Sequence, residues 1–168
     1  MYESTEDVAV LQGLLDRSIE QAGSFLRESL QIDDHTLSAE QVIRYLDGIR
    51  HTSLATVTAN GEPRVAPVVA IFVHGKYYVP TVIEAARTRH LRQRPGVSLT
   101  EYDGGDDAII IHGQARLIDL NHPDFDEIDD LYMNFTTNGG PRNWGGGGPV
   151  YIRVDPDAMY ATSFGSRE

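Results

Sequence analysis

The fold of this chain is decided by the segment SLATVTANGEPRVAPVVAIFVHGKYYVPT, residues 53–81. Its opening part, SLATVTA, is rich in β-branched residues and alternates in polarity, and the Asn60–Gly61 pair that follows is a strong signal for a tight hairpin turn. The return stretch RVAPVVAIFV is apolar on both faces, and His74–Gly75 then turns the chain into KYYVPT. The segment therefore predicts three successive antiparallel strands.

Pro67 interrupts the middle strand of this segment. A proline has no N–H to donate to a sheet, so it is found at edges and bulges rather than in the centre of a sheet. We therefore expect this part of the strand to lie at an edge, to form a bulge, or to leave its backbone unpaired for a ligand.

The sequence after residue 95 continues the β pattern. GVSLTEY and AIIIHGQARLID are predicted strands, the second with a bulge at Gly113, and VYIRVDPDAMYATSF predicts one or two closing strands. HPDFDEIDDLYMNF predicts a helix with Pro123 near its first turn. Closely spaced strands joined by hairpins, with inserted helices, are typical of an antiparallel barrel.

The sequence before residue 53 is helical in pattern. Apolar residues recur at helical spacing from Val8 to Leu30, and Ser38 with Gln41 forms a capping box for a second helix. We therefore predict an N-terminal helical arm, residues 1–38, and a barrel domain, residues 39–168. Because the arm has an apolar stripe to bury, it is expected to lie against the barrel or a partner subunit.

Composition excludes several classes of function. The 168-residue chain has a net charge of −11 at pH 7 and no cysteine, so disulfides, thiolate metal sites and a cysteine nucleophile are absent. The negative charge argues against nucleic acid as the main partner, and no apolar run is long enough to span a membrane. The acidic N-terminus lacks the apolar region of a signal peptide, which favours a cytoplasmic protein.

The stretch EAARTRHLRQRP, residues 84–95, concentrates basic side chains in this acidic chain. Thr81 and Glu84 form a capping-box pattern, which predicts a helix that begins just after Thr81. Arg87 lies four residues before Leu91 and therefore shares its inward face, close to a helix N-terminus that favours anions. The pattern predicts Arg87 as a phosphate ligand.

The other arginines of this stretch have a simpler interpretation. Arg89 and Arg92 project from the opposite face of the predicted helix, and a solvated helix face explains them and Arg94.

SLATVTANGEPRVAPVVAIFVHGKYYVPT, ARTRHLRQRPGVSL and IHGQARLID together resemble the flavin split-barrel superfamily, the pyridoxamine 5′-phosphate oxidase-like proteins. Within it they are most similar to the actinobacterial flavin- and deazaflavin-dependent oxidoreductases. The resemblance covers about residues 39–120 well and the C-terminal strand loosely. It implies a six-stranded antiparallel Greek-key split barrel that forms a homodimer, with the cofactor in a groove between the subunits.

The resemblance also implies a function. The chain is expected to be an oxidoreductase that transfers hydride between its cofactor and a small organic substrate, with FMN and the deazaflavin coenzyme F420 both open. The alternatives are a non-catalytic binder of flavin, deazaflavin or haem, and a haem-handling enzyme, in which His90 or His112 would be the axial-ligand candidate. The basic C-terminal signature of true pyridoxamine phosphate oxidases is absent, so that particular reaction is not expected.

The family's cofactor-binding positions can be carried onto this sequence one by one. The strand along the ring system, the residues that close the third strand, and the basic helix correspond to Val65, Ala66, Pro67, Val68, Pro80, Thr81, Arg87, Arg89 and His90. Thr81 and Arg87 would hold the phosphate. Arg87 stands where the family usually has lysine, and His90 where it often has asparagine; both keep donor capacity. No catalytic acid or base is required.

The glycine-rich loop with Trp144 and the scattered histidines were also considered as candidate sites. Trp144, in the glycine-rich loop 138–148, could cover the ring or anchor a dimer interface, and the loop itself is interpreted as a mobile flap. The six histidines lack metal-ligand spacing, so no metal site is expected.

Overall fold

A computed structural model of the chain describes residues 2–102 and 107–164. Its six strands pair antiparallel in the order β1-β2-β3-β6-β5-β4 and close into a barrel, as predicted. The strands are β1 Arg50–Val57, β2 Pro63–Val73, β3 Lys76–Val82, β4 Gly96–Tyr102, β5 Asp107–Asp119 and β6 Pro149–Ser163.

Helices surround this barrel: α1 Thr5–Gln21, α2 Ser24–Ser29, α3 Ile32–His35, α4 Ala39–Tyr45, α5 Ala86–Gln93, α6 Phe125–Phe135, and a 3-10 turn, Pro141–Asn143. Within the described ranges, none of them is long and apolar enough to cross a membrane.

The prediction of one helix from Val8 to Leu30 is wrong, because the chain becomes extended at Ala22 and Gly23 between α1 and α2. Glycine is a poor helix former. The end of α1 is stabilised there, since Arg27 Nη2 donates to the carbonyl of Ile19 at 2.6 Å.

The helix α1 packs onto the barrel. Its buried Leu11, Leu14 and Leu15 belong to the same apolar cluster as the barrel interior, and burial of one leucine side chain stabilises a fold by roughly 1.5–3 kcal/mol. The buried hydroxyl of Ser18 accepts the backbone N–H of Met159 in β6 at 2.9 Å. Residues of the N-terminal segment thus share a core with the barrel.

The barrel is split between β2 and β3. β2 pairs with β1 from Pro63 to Ala70, but it pairs with β3 only from Ile71 to Val73. Among the residues that the structure describes, residues 63–70 therefore have a strand neighbour on one side only, and Pro67 lies in this half, as an edge position requires.

The register of β5 against β6 shifts between His112 and Gly113, where a bulge was predicted, and the extra residue of this bulge is Asp157 on β6. The capping box predicted at Ser38 and Gln41 is confirmed. The C-terminal stretch forms one closing strand, β6, rather than two.

The capping box predicted at Thr81 and Glu84 is wrong. Thr81 still belongs to β3, where it pairs with Val150, and α5 begins only at Ala86 with no side-chain cap. After β3 ends, the N–H groups of Ile83 and Glu84 donate to carbonyls of the glycine-rich loop. Because these two N–H groups are bonded to the loop, the helix α5 begins only after them.

Candidate functional site

The split in the barrel contains a half-open cavity of about 250 Å³. Its walls come from the inward face of β1, the one-sided half of β2 and the first turns of α5. It is lined by Leu54, Thr56, Arg64, Val65, Ala66, Ala86, Arg87 and His90.

The helix α5 is held so that one face meets this cavity. Leu91 is 4% exposed within the core, and Thr88 Oγ1 donates to the carbonyl of Val82 at 2.8 Å. With these two side chains packed inward, Arg87 and His90, three residues apart, share the face that lines the cavity.

Arg87 is the electrostatic centre of the cavity. The residue is half-buried, and burial lowers the pKa of its guanidinium; no charged neighbour among the described residues contributes to this shift. The group nevertheless stays protonated, because the ordinary pKa of arginine lies far above 7. A half-buried cation without a carboxylate partner favours the binding of an anion, because the anion would compensate its charge.

A second guanidinium lines the same cavity from β2. Arg64 in β2 lines the cavity, and its Nη2 lies 2.6 Å from the Glu62 carboxylate. The sequence analysis missed Arg64, although its position two residues before Ala66 in the same strand puts both on one face.

Thr56 is another residue that the sequence analysis missed. It is 4% exposed in β1, and its hydroxyl oxygen lies 2.9 Å from Nδ1 of His90. No local pattern connects these residues, because only barrel closure brings β1 and α5 together.

The structure brings four of the nine predicted cofactor residues together at the cavity: Val65, Ala66, Arg87 and His90. Pro67 and Val68 instead border a shallow surface pocket beside His51.

The remaining predicted residues lie outside the lining of this cavity. Pro80 and Thr81 are buried in β3 against β6. Arg89 is exposed and donates to the carbonyl of Glu84 at 2.6 Å. Trp144 is 40% exposed.

The glycine-rich loop is held at one end by α6 and at the other by the turn that leads into α5. At one end, Arg142 Nε donates to the buried Asp129 at 2.6 Å, and Tyr151 donates to the same carboxylate at 2.8 Å. At the other end, the carbonyls of Gly146 and Gly148 accept the N–H groups of the β3–α5 turn. The interpretation of this loop as a mobile flap stays a prediction.

No metal centre was found within residues 2–102 and 107–164, where no three potential ligands among histidines and carboxylates come together. His112, the second haem-ligand candidate, is exposed on β5, bonds to Ser98 Oγ at 2.8 Å and does not belong to the lining of the cavity.

Solved structures share this fold. A protein from Nostoc punctiforme PCC 73102, described as pyridoxamine 5′-phosphate oxidase-related and FMN binding, is 16% identical, with 64% of this chain and 70% of that chain covered and a TM-score of 0.50. An F420 reductase is 19% identical, with 68% and 91% covered and a TM-score of 0.52. HutZ, described as the heme storage protein from Vibrio cholerae, is 16% identical, with 75% and 94% covered and a TM-score of 0.53.

These identities are low enough that the structures establish the fold alone. A comparison with curated proteins found no match. The family model described as pyridoxamine 5′-phosphate oxidase, however, matches residues 39–162, which include strands β1 to β5 and all but the last residue of β6. The resemblance seen in the sequence is thereby confirmed, and the chain belongs to the pyridoxamine 5′-phosphate oxidase family.

Proposed function

We propose that this protein is an oxidoreductase that binds a flavin or deazaflavin in the split-barrel cavity, with the cofactor phosphate on Arg87. The observation that carries the proposal is the half-buried Arg87 guanidinium, which has no carboxylate partner among the described residues. A phosphate oxygen pair matches the fork of a guanidinium. FMN and F420 both carry phosphate, and structural neighbours are described with each.

The residues of the cavity suit the rest of such a ligand. Val65 and Ala66 of β2 both line the cavity with Arg87, and their apolar atoms suit a flat ring. When bound, the cofactor supplies the hydride chemistry, and the chain anchors the phosphate, orients the ring and excludes water for a small organic substrate.

We further propose that a homodimer completes the site. The cavity of about 250 Å³ is smaller than the roughly 300–1,000 Å³ of ordinary ligand pockets. At its rim, Val65 is 68% exposed, although it is a large apolar residue. A second subunit would cover this residue and enlarge the pocket, and such an interface should bury more than about 1,200 Å² in total. Light scattering tests this, since a monomer at micromolar concentration that still binds cofactor would exclude a shared site.

Haem is the second candidate ligand, because His90 lines the cavity and imidazole is an axial ligand of haem iron. The absorption spectrum of the protein purified from its native host separates the candidates. A flavin or deazaflavin spectrum supports the proposal, whereas an intense haem band would replace it.

The experiment that tests the anion site compares three alanine variants on one helix. FMN and F420 are titrated, at fixed salt, into the unchanged protein and the Arg87→Ala, Arg89→Ala and Arg92→Ala variants. A hydrogen bond to a charged group contributes about 1.5–3 kcal/mol, so Arg87→Ala should weaken binding roughly ten- to a hundred-fold. Arg89→Ala and Arg92→Ala should each cost well under about 1 kcal/mol, because both side chains are exposed.

Two results would contradict this arrangement. Equal losses in all three variants would mean a diffuse field without a specific anion site. Unchanged binding in Arg87→Ala would mean that the phosphate lies elsewhere. Arg87→Lys should be mild, because the family usually has lysine at this position.

A further inference from the structure

The hydroxyl of Thr56 is buried and makes one side-chain hydrogen bond within the described part of the chain. Thr56 is 4% exposed, and its Oγ1 lies 2.9 Å from Nδ1 of His90. Both residues line the split-barrel cavity. The chemistry of this pair therefore affects what the cavity presents to a ligand.

Two proton arrangements are compatible with this contact. If the ring Nδ1–H donated to the threonine oxygen, the hydroxyl proton of Thr56 would be left in a buried position without an acceptor among the described residues, which is unfavourable. If the hydroxyl donates to an unprotonated Nδ1, the buried hydroxyl is satisfied, and the remaining donor is the ring N–H of His90, which is less buried and lines the cavity. A neutral imidazole then carries its proton on Nε2.

We propose that Thr56 is a positioning residue that holds His90 as the Nε2–H tautomer, so that His90 offers a neutral donor to an oxygen acceptor of the ligand. This inference rests on the proposed cofactor site. The acceptor is a phosphate oxygen or a ring carbonyl oxygen, because an N–H cannot be satisfied by an apolar group. Arg87 stands one helical turn before His90 and supplies the charge, while His90 supplies a directed hydrogen bond.

A neutral donor and a cation respond differently to salt. Screening by salt weakens the attraction between Arg87 and an anion, whereas a hydrogen bond from a neutral imidazole is little affected. The contribution of the Thr56–His90 pair to cofactor affinity should therefore be the same at low and high ionic strength.

The first experiment is an ¹⁵N-detected spectrum of the histidine side chains in the cofactor-free protein, recorded in mildly alkaline buffer. We expect Nδ1 of His90 as the unprotonated acceptor and Nε2 as the protonated nitrogen. Thr56→Val should give a mixture of tautomers, and Thr56→Ser, which keeps the hydroxyl, should restore the single tautomer. A protonated Nδ1 in the unchanged protein would overturn the proposal.

The second experiment measures FMN and F420 affinity for the same variants at two salt concentrations. For the cofactor that binds, the affinity of Thr56→Val should be about three- to ten-fold weaker at both salt concentrations. Thr56→Ser should bind nearly as well as the unchanged protein. Equal affinity of Thr56→Val and the unchanged protein would overturn the proposal.

Thr52→Val is the matched control. Thr52 lies on the same face of β1 and is also 4% exposed, but its hydroxyl donates to the carbonyl of Thr100 at 2.8 Å. This variant loses a buried hydroxyl without touching His90, so its His90 spectrum and its cofactor affinity should not change. If Thr52→Val altered both as Thr56→Val does, the effect would be general loosening of β1, and the proposal would fail.

The two experiments separate this inference from the proposed function. If the unchanged protein binds neither cofactor, the proposed function fails, and the donor role of His90 fails with it. The tautomer spectrum requires no cofactor, so it still decides whether Thr56 sets the proton position of His90.

Discussion

Gly113→Ala is the substitution that most directly tests the barrel as described. Gly113 lies on β5 at the bulge between β5 and β6, and a Cβ placed there would lie 2.3 Å from the carbonyl oxygen of Asp155 and 3.0 Å from Cα of Pro156. Both neighbours are backbone atoms, so no side-chain rotation can relieve the contact. The two strands would have to separate by roughly 1 Å at this point.

The cost of this separation can be bounded. Overpacking in a well-packed region costs about 1–3 kcal/mol and sometimes more, and the rigid backbone neighbours of Gly113 place it at the upper end. Replacing glycine also reduces the entropy of the unfolded chain, which returns about 0.4–1 kcal/mol. We therefore expect a net loss of about 2–3 kcal/mol in the free energy of unfolding. For a chain of this size, this corresponds to a Tm lower by about 4–12 °C.

Gly96→Ala is the control, because Gly96 lies on the adjacent strand β4, one pair away in the register. A Cβ at Gly96 meets no atom within 4 Å, and its φ is outside the left-handed region. Its Tm should stay unchanged or rise by a few degrees, by about 4 °C at most. Thermal unfolding followed by circular dichroism measures both variants. Equal Tm values for the two variants would refute the β5–β6 register at the bulge.

Three further predictions concern the loop and the N-terminus. Arg142→Ala removes a charged donor from the buried Asp129, so urea unfolding should show a loss of about 1–3 kcal/mol; no loss would mean that Arg142 does not anchor the loop. The pKa of Asp7 is lowered to about 2, first by the backbone N–H of Ser4, so its stabilising contribution is present above pH 3.8 and is lost as the pH falls towards 2. Asp7→Asn should remove this part of the acid unfolding curve, and an unchanged curve would contradict it. Gly146 has a φ of +101° and a Cβ there would lie 2.7 Å from a valine side chain of β3; Gly146→Ala should displace the loop and weaken FMN or F420 binding in a titration, whereas unchanged affinity would show that loop placement does not affect the site.

The predictions that hold are those that rest on local signals. The hairpin at Asn60–Gly61, the helix cap at Ser38 and the bulge at Gly113 each depend on neighbours within a few residues, and strand alternation is also a local pattern. Together these local signals indicated an antiparallel barrel, and the resemblance to the family indicated which strand topology the barrel has.

The capping box predicted at Thr81 and Glu84 fails because a local signal competed with pairing elsewhere in the chain. Thr81 and Glu84 have the sequence of a helix cap, but β3 pairs with β6 through Val82, and the glycine-rich loop takes the next two N–H groups. A helix cap contributes about 1 kcal/mol, less than a run of strand hydrogen bonds combined with burial of Thr81 at 3% exposure.

The candidate site divides in the same way. Helical periodicity placed Arg87 on the inward face of α5, because residues four apart on a helix are neighbours wherever the helix lies. Thr56 could not be found from the sequence, since it belongs to a strand whose local pattern says nothing about α5, whereas strand alternation with Ala66 could have indicated Arg64. Only the closure of the barrel, driven by burial of its apolar interior, brings the Thr56 hydroxyl to the ring of His90 and places the guanidinium of Arg64 in the same cavity as that of Arg87.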